Sequence, residues 1–196
     1  MDHIVSRDGI VAEPDKVKAI LEAPPPTNAK ALSRFLGQIR WHSRMIRYLA
    51  DVATPLHVAV HKTPFQWFQW STVEHDAYDC LKKILSKVPI VQPQDWTKVF
   101  HVFIDASYIT IGSRLMQFSE PNWYKPIYYA NQKLFSAERN YSTTKQEALG
   151  MNYYVNKFRH YLLGRKFTFH VDHSTLLHFV SKQTCALILK YEEVRL

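Results

Sequence analysis

Asp105, Glu147 and Asp172 stand in three separate contexts in the second half of the chain: FHVFIDASYITIGSRLMQ, YSTTKQEALG and FTFHVDHSTLL. Asp105 ends an apolar run, where an Asp can equally begin an Asx-turn. Glu147 shares a stripe with Met151, Tyr154, Phe158 and Tyr161, at i, i+4, i+7, i+11 and i+14, so it faces whatever that stripe packs on. A carboxylate against an apolar layer is unfavourable without compensation. The other reading is a place in the first helical turn, where the helix dipole favours an acid. Asp172 closes an alternating segment just before a helix, where it could cap, although Ser174 is the better cap. Two strand-end acids and one helix acid meeting at one sheet edge repel one another unless cations bind. Hard oxygen donors select Mg2+ or Mn2+. Two such ions activate water and stabilise the leaving oxygen in phosphodiester hydrolysis. The residues alone lead to divalent-metal phosphoryl chemistry and stop short of the substrate. His170, His173 and His178 do not make a zinc set, because His170 and His173 straddle a strand-to-helix junction and no Cys is near.

The elements that must position these acids follow from the pattern. Lys98–Asp105 is a nearly continuous apolar run, which predicts a strand buried on both faces. Ile109–Gln117 is a second strand in an antiparallel hairpin with it. Trp123–Ala130 is a third, placed at an edge by Pro126. Ser142–Tyr161 reads as one long helix. Lys166–Asp172 alternates, with Phe167, Phe169 and Val171 on one face and Thr168, His170 and Asp172 on the other. Ser174 caps a helix from Thr175 to about Val180, and Ser181–Leu196 carries no strong signal. The sum is a mixed α/β layer structure.

The first half is mostly helical. Residues 3–12 read as a hairpin turning at Asp8-Gly9. Pro14 opens a helix through Leu21, which Pro24, Pro25 and Pro26 end. Thr27 or Asn28 caps the next helix, in which Leu32, Phe35, Leu36, Ile39, Ile46 and Leu49 keep helical spacing. Lys30, Arg34, Arg40, Arg44 and Arg47 fall on its other side, with no acid between residues 29 and 50. That side is either a solvated face or a stripe against a phosphate backbone. The aromatics from Phe65 to Trp70 could stack bases, but anchoring the loop to the core is the plainer role. Ser71 or Thr72 starts a helix to about Lys87 with Ala77, Leu81 and Ile84 inward, and Val88–Trp96 is a connector.

Composition limits the partners. With 46% hydrophobic residues the 196-residue chain can bury a core. Lys and Arg exceed Asp and Glu by 25 − 17 = 8, which suits a polyanion. Five glycines argue against a Gly-rich phosphate loop. Cys80 and Cys185 are far apart and read as reduced thiols. The N-terminus MDHIVSRDG has no apolar signal region, and no apolar run is long enough to span a membrane.

These motifs together resemble the polyprotein of gypsy-type LTR retrotransposons, from the end of the reverse transcriptase into its RNase H domain. HIVSRDGIVAEPDKVKAI is similar to the stretch after the polymerase palm, and ALSRFLGQIRWHSRMIRYLADVATPL to the thumb and connection region. The three acid contexts resemble three successive RNase H motifs. The resemblance implies a thumb/connection remnant at 1–92 and an RNase H-like mixed α/β domain at 93–196, with the fifth strand and last helix missing. It implies hydrolysis of the RNA strand of an RNA–DNA hybrid by two Mg2+ ions, or Mn2+, with Asp105, Glu147 and Asp172 as catalytic residues and metal ligands. A fourth acid of the family is not recognisable before Leu196, so feeble or no turnover is expected, and the Lys166–Asp172 strand is expected to be an open edge. The palm is absent, so DNA synthesis is not expected. Lys145 stands where many relatives carry an acid, and Arg114 where they carry a small or apolar residue.

The alternatives are two. One is a non-catalytic module holding duplex nucleic acid through Arg34, Arg40, Arg44, Arg47 and the cluster Lys157, Arg159, Arg165 and Lys166. The other is a decayed fragment with no selected role. A cytoplasmic or nuclear location follows from the family only, and no membrane association is expected.

Overall fold

The computed structural model describes residues 3–6, 9–61, 70–87, 91–119, 123–171 and 192–195. The chain divides into two compact units, Met1–Ile90 and Val91–Leu196.

The first unit opens with strands β1 (His3–Ser6) and β2 (Gly9–Ala12), paired antiparallel. Gly9 has φ 141°, a conformation that L side chains rarely adopt. Helix α1 (Pro14–Glu22) carries Pro at its start. Pro24, Pro25 and Pro26 cannot donate backward, so the carbonyls at its end need other donors. Tyr78 Oη donates to Ala23 O at 3.0 Å, and Lys82 Nζ to the same oxygen at 2.6 Å. Burial pushes the Tyr78 phenol up, and Asp79 adds to this.

Helix α2 (Ala29–Trp41) is capped by Asn28, whose Oδ1 accepts from Ala31 N at 2.8 Å. The single helix expected to run on to Leu49 is not formed. A short 3-10 turn spans Ser43–Met45, and Tyr48 takes φ 56° before α3 (Leu49–His61) begins. The break lets Met45 and Ile46 turn inward, at 0% and 1% exposure. The apolar spacing survived the change of element because both sides of the break feed the same core. Helix α4 (Thr72–Ser86) starts at Ser71, whose backbone N–H donates to Glu74 Oε2 at 3.1 Å. Ala77, Tyr78, Leu81 and Leu85 of α4 join Leu32, Phe35, Leu36, Ile39 and Leu56 in the core. Trp70 meets Tyr78 edge-on at 5.8 Å, an anchoring contact; residues 62–69 of the aromatic loop lie outside the described residues.

The second unit is a sheet of strands β3 (Phe100–Ala106), β4 (Thr110–Ser119), β5 (Trp123–Lys133), β6 (Phe167–His170) and β7 (Glu192–Arg195). Their order is β5-β4-β3-β6-β7. The β3–β4–β5 meander is antiparallel, with an irregularity at Leu115/Met116 beside Pro126. β6 is parallel to β3 and β7 parallel to β6. The fold class is therefore the mixed α/β sheet expected, with one correction: β6 is not an open edge, since Glu192–Arg195 supplies a fifth strand along it. A short segment with one β-branched residue gave the sequence no period to recognise.

Helices α5 (Ser136–Arg139), α6 (Thr143–Lys157) and α7 (Arg159–Leu162) lie between β5 and β6. The expected long helix is interrupted at Phe158, yet Met151, Tyr154, Phe158 and Tyr161 are all buried. They pack with Phe100, Val102, Ile104, Leu115, Phe167 and Phe169 from one face of the sheet. The same alternation turns His101, Phe103 and Asp105 to the other face, where His101 and Phe103 are half-buried and Asp105 is exposed. β3 is thus covered on one face rather than both, and the apolar look of its run comes from Phe103, whose ring stacks on His170 at 4.0 Å.

Candidate functional site

Asp105 is the penultimate residue of β3. It pairs with Gly112 of β4, which pairs in turn with Asn131 of β5. A β-carbon at Gly112 would lie 3.7 Å from both Asn131 Oδ1 and the Asp105 carbonyl oxygen, an ordinary contact. The bare position leaves the sheet face beside Asp105 unfilled. Sequence reasoning passed over Gly112 because only the register shows what it faces.

Glu147 is 5% exposed and lies on α6. Since α6 begins at Thr143, Glu147 falls in the second turn. The first-turn dipole explanation for an acid there is correspondingly weaker. One turn further on, Gly150 brings α6 against the end of β3 and the start of β4. A β-carbon there would lie 2.8 Å from Ile111 Cγ2 and 3.1 Å from Ile104 Cγ2. Ile104 directly precedes Asp105, so this close approach brings the Glu147 turn to the end of β3. Two anchors fix the helix. Gln146 Nε2 donates to Glu138 O and Arg139 O, each at 3.3 Å. Tyr154 Oη donates to Ile111 O, and burial with help from Tyr153 pushes its phenol far up, so it remains a donor.

The third acid, Asp172, lies outside the described residues, as do His173 and His178. The paired rows of β3 and β6 end at Phe103 and His170. Two residues past that pair the sequence has Asp105 on one side and Asp172 on the other. Among the described residues no group of three or more His, Cys, Asp or Glu is placed to hold a metal. The described donors, one exposed and one buried carboxylate, are hard oxygens of the kind Mg2+ and Mn2+ take.

The basic candidates fall in several places. Lys30, Arg34 and Arg40 are exposed on α2. Arg44 is half-buried in the 3-10 turn, and Arg47 follows it with its guanidinium 4.3 Å from the Tyr48 ring centroid, so neither continues the α2 stripe. Instead the row Lys30, Arg34 is extended by Gly37 and Trp41, at i, i+4, i+7 and i+11. Nothing lies within 4 Å of a β-carbon at Gly37, and Trp41 is 47% exposed. The spacing was legible, but Gly and Trp do not register in a search for charge. In the second unit Lys157, Arg159 and Lys166 are exposed. Arg165 has a structural contact, donating to Trp96 O at 2.7 Å and lying 4.5 Å from that indole's centroid.

An antiparallel meander extended by parallel strands, with a carboxylate ending the first strand and a second buried on the helix packed against it, defines an RNase H-like domain. Residues 70–169 match the family model described as an RNase H-like domain found in reverse transcriptase, and the chain belongs to that family. Its relatives are retrotransposon polyproteins. It is 36% identical over 177 residues to the retrovirus-related Pol polyprotein from transposon 297 of Drosophila melanogaster, covering 90% of this chain and 16% of the relative. It is 34% identical to that from transposon opus of the same fly, covering 84% and 17%. It is 25% identical to the transposon Tf2-3 polyprotein of Schizosaccharomyces pombe, covering 92% and 14%. The chain thus spans about a sixth of the length of these relatives.

Among solved structures, the foamy viral protease-reverse transcriptase in complex with double-stranded DNA superposes with a TM-score of 0.80 at 16% identity, over 99% of this chain and 44% of that one. The same enzyme in complex with RNA/DNA hybrid gives 0.78 at 14%, over 97% and 28%. These likenesses show the fold. No helix among the described residues is long and apolar enough to cross a membrane.

Proposed function

We propose that this chain is the RNase H-like module of a retrotransposon polyprotein and hydrolyses the RNA strand of an RNA–DNA hybrid, with Asp105, Glu147 and Asp172 as its acids. The observation that supports this most is Glu147: a carboxylate 5% exposed, carried to the end of β3 by the close approach of Gly150 to Ile104 and Ile111. Burial of that kind is unfavourable in a merely structural residue.

Asp105 and Glu147, with Asp172, would hold Mg2+ or Mn2+, which when bound supplies charge neutralisation of the scissile phosphate and activation of the attacking water. Asp105 is exposed on the sheet face, so it meets the substrate side. Glu147 approaches from the helix layer with its position fixed by Gln146 and Tyr154. The bare Gly112 position leaves room beside Asp105 for the nucleic-acid backbone. The exposed row Lys30, Arg34, Gly37 and Trp41 offers cations for phosphates and a ring for a sugar or base on a helix surface free of acids.

The test is cleavage of a labelled RNA–DNA hybrid in Mg2+ and in Mn2+, with Asp105→Asn in parallel. Metal-dependent cutting that Asp105→Asn abolishes supports the assignment. Cutting at an unchanged rate in Asp105→Asn refutes it. A second reading, duplex binding without cutting, is favoured by the α2 row. It requires well-folded protein that does not cleave but binds hybrid with an affinity falling steeply in salt.

A further inference from the structure

On the sheet face opposite α6, two imidazoles from adjacent parallel strands meet. His101 of β3 and His170 of β6 are diagonal neighbours in a register that pairs His101 with Thr168 and Phe103 with His170. Their facing nitrogens, His101 Nδ1 and His170 Nε2, share a hydrogen bond of 3.1 Å whose donor is set by the ring tautomers. The rings are held by an aromatic wall. Phe103 lies flat on His170, with centroids 4.0 Å apart and planes 7° apart. Tyr124 meets His101 edge-on at 4.9 Å and His170 at 5.9 Å. Both histidines are half-buried, so their rotamers are constrained while one side stays open to solvent.

We infer that His101 and His170 form a two-imidazole site for a late first-row divalent metal ion, with Cu2+ as the strongest binder. Imidazole nitrogens bind such ions at about 2.0–2.1 Å. Two of them on one ion, at angles between square and tetrahedral, are separated by about 2.9–3.3 Å. The hydrogen-bonded spacing of 3.1 Å falls inside that interval, so an ion would replace the shared proton with little movement of either ring. Imidazole is a ligand suited to copper, zinc and nickel rather than to magnesium, and the divalent series peaks at Cu2+. Two protein donors leave coordination positions for water or an anionic oxygen. Arg114, paired with Phe103 and with its guanidinium 5.3 Å from that ring's centroid, favours an anion there. This site is separate from the carboxylate set in ligand chemistry, and it ties together β3, whose penultimate residue is Asp105, and β6, which precedes Asp172 in sequence. The two histidines are 69 residues apart, so no spacing motif announces them.

The experiment is titration of the full chain with Cu2+, followed by calorimetry and by the nitrogen couplings in the copper electron paramagnetic resonance spectrum. His101→Asn, His170→Asn and Asp105→Asn are run alongside. One site with two imidazole nitrogens is expected. Each histidine variant should weaken it by more than the roughly 10–100-fold that loss of an outer-shell partner brings, and Asp105→Asn should leave the two-nitrogen coupling unchanged. Cu2+ should also protect His101 and His170 of the unmodified chain from diethyl pyrocarbonate, read by mass spectrometry, which decides the matter if either variant fails to fold. Unchanged binding in the double histidine variant, or no protection of these two rings, overturns the inference.

Discussion

Gly150→Ala tests whether the close approach of α6 to the sheet is what places Glu147. The added methyl would lie 2.8 Å from Ile111 Cγ2 and 3.1 Å from Ile104 Cγ2. Ordinary contact begins at 3.4 Å, so the helix must lift by 3.4 − 2.8 = 0.6 Å or the two isoleucines must shift by that much. Ile104 is 5% and Ile111 1% exposed, and both are in paired strands, which leaves them little freedom. Overpacking of this kind destabilises by about 1–3 kcal/mol. Replacing a mid-helix glycine by alanine returns about 1 kcal/mol. The net expectation is a loss of about 1 kcal/mol, or roughly 5 °C in the melting temperature of a unit this size. Hybrid cleavage should fall by about tenfold, more than the stability loss accounts for, because a displacement near 1 Å can lower rates by about a hundredfold. Urea unfolding with a slope equal to the parent's, together with the cleavage assay in Mn2+, reads both effects. A Gly150→Ala chain as stable as the parent or more so, and cleaving at the parent's rate, would refute the reasoning.

Other expectations follow from single contacts. Ser113 is 4% exposed and its hydroxyl has no hydrogen-bond partner among the described residues, so Ser113→Ala should stabilise by about 1 kcal/mol in denaturant titration. Tyr154→Phe removes the buried donor to Ile111 O and should destabilise by about 1–3 kcal/mol, while leaving the helical content in circular dichroism unchanged. Trp41→Ala should weaken hybrid binding by about 1–3 kcal/mol if the ring stacks on nucleic acid. It should leave the slope of affinity against salt unchanged, whereas Arg34→Ala should reduce that slope by about one.

Much of the second unit was readable along the chain because its signals are local. The alternation of Phe167, Phe169 and Val171 marked β6, and Pro126 marked β5 as an edge. The Glu147 stripe marked the buried side of α6 even though the helix breaks at Phe158. What the sequence hid depends on partners distant in the chain. β7 is four residues long and has its identity only through pairing with β6. The helix expected through Leu49 was wrong because apolar spacing is the same whether Met45 and Ile46 continue a helix or turn into the core after one. α3 was overlooked because Pro55 falls inside it and proline argues against helix interiors. Of the candidate site, the identities of Asp105 and Glu147 were visible; the bare Gly112 beside one and the close approach of Gly150 beside the other required the register.

The parallel pairing of β6 with β3 sets an order of assembly. Phe100 meets Gln117 after 17 residues but Phe167 only after 67. That is about two doublings of loop length, or about 1.2 kcal/mol more loop-closure entropy. The β3–β4–β5 meander is therefore expected to form as a local unit, with β6 joining after α6 and α7 have laid an apolar surface for Phe167 and Phe169. In that order Asp105 belongs to the earlier unit, while the imidazole of His170 arrives with the later one. Any ion that bridges the two strands would accordingly bind the finished sheet and not the nascent one, and would act as a brake on its unfolding.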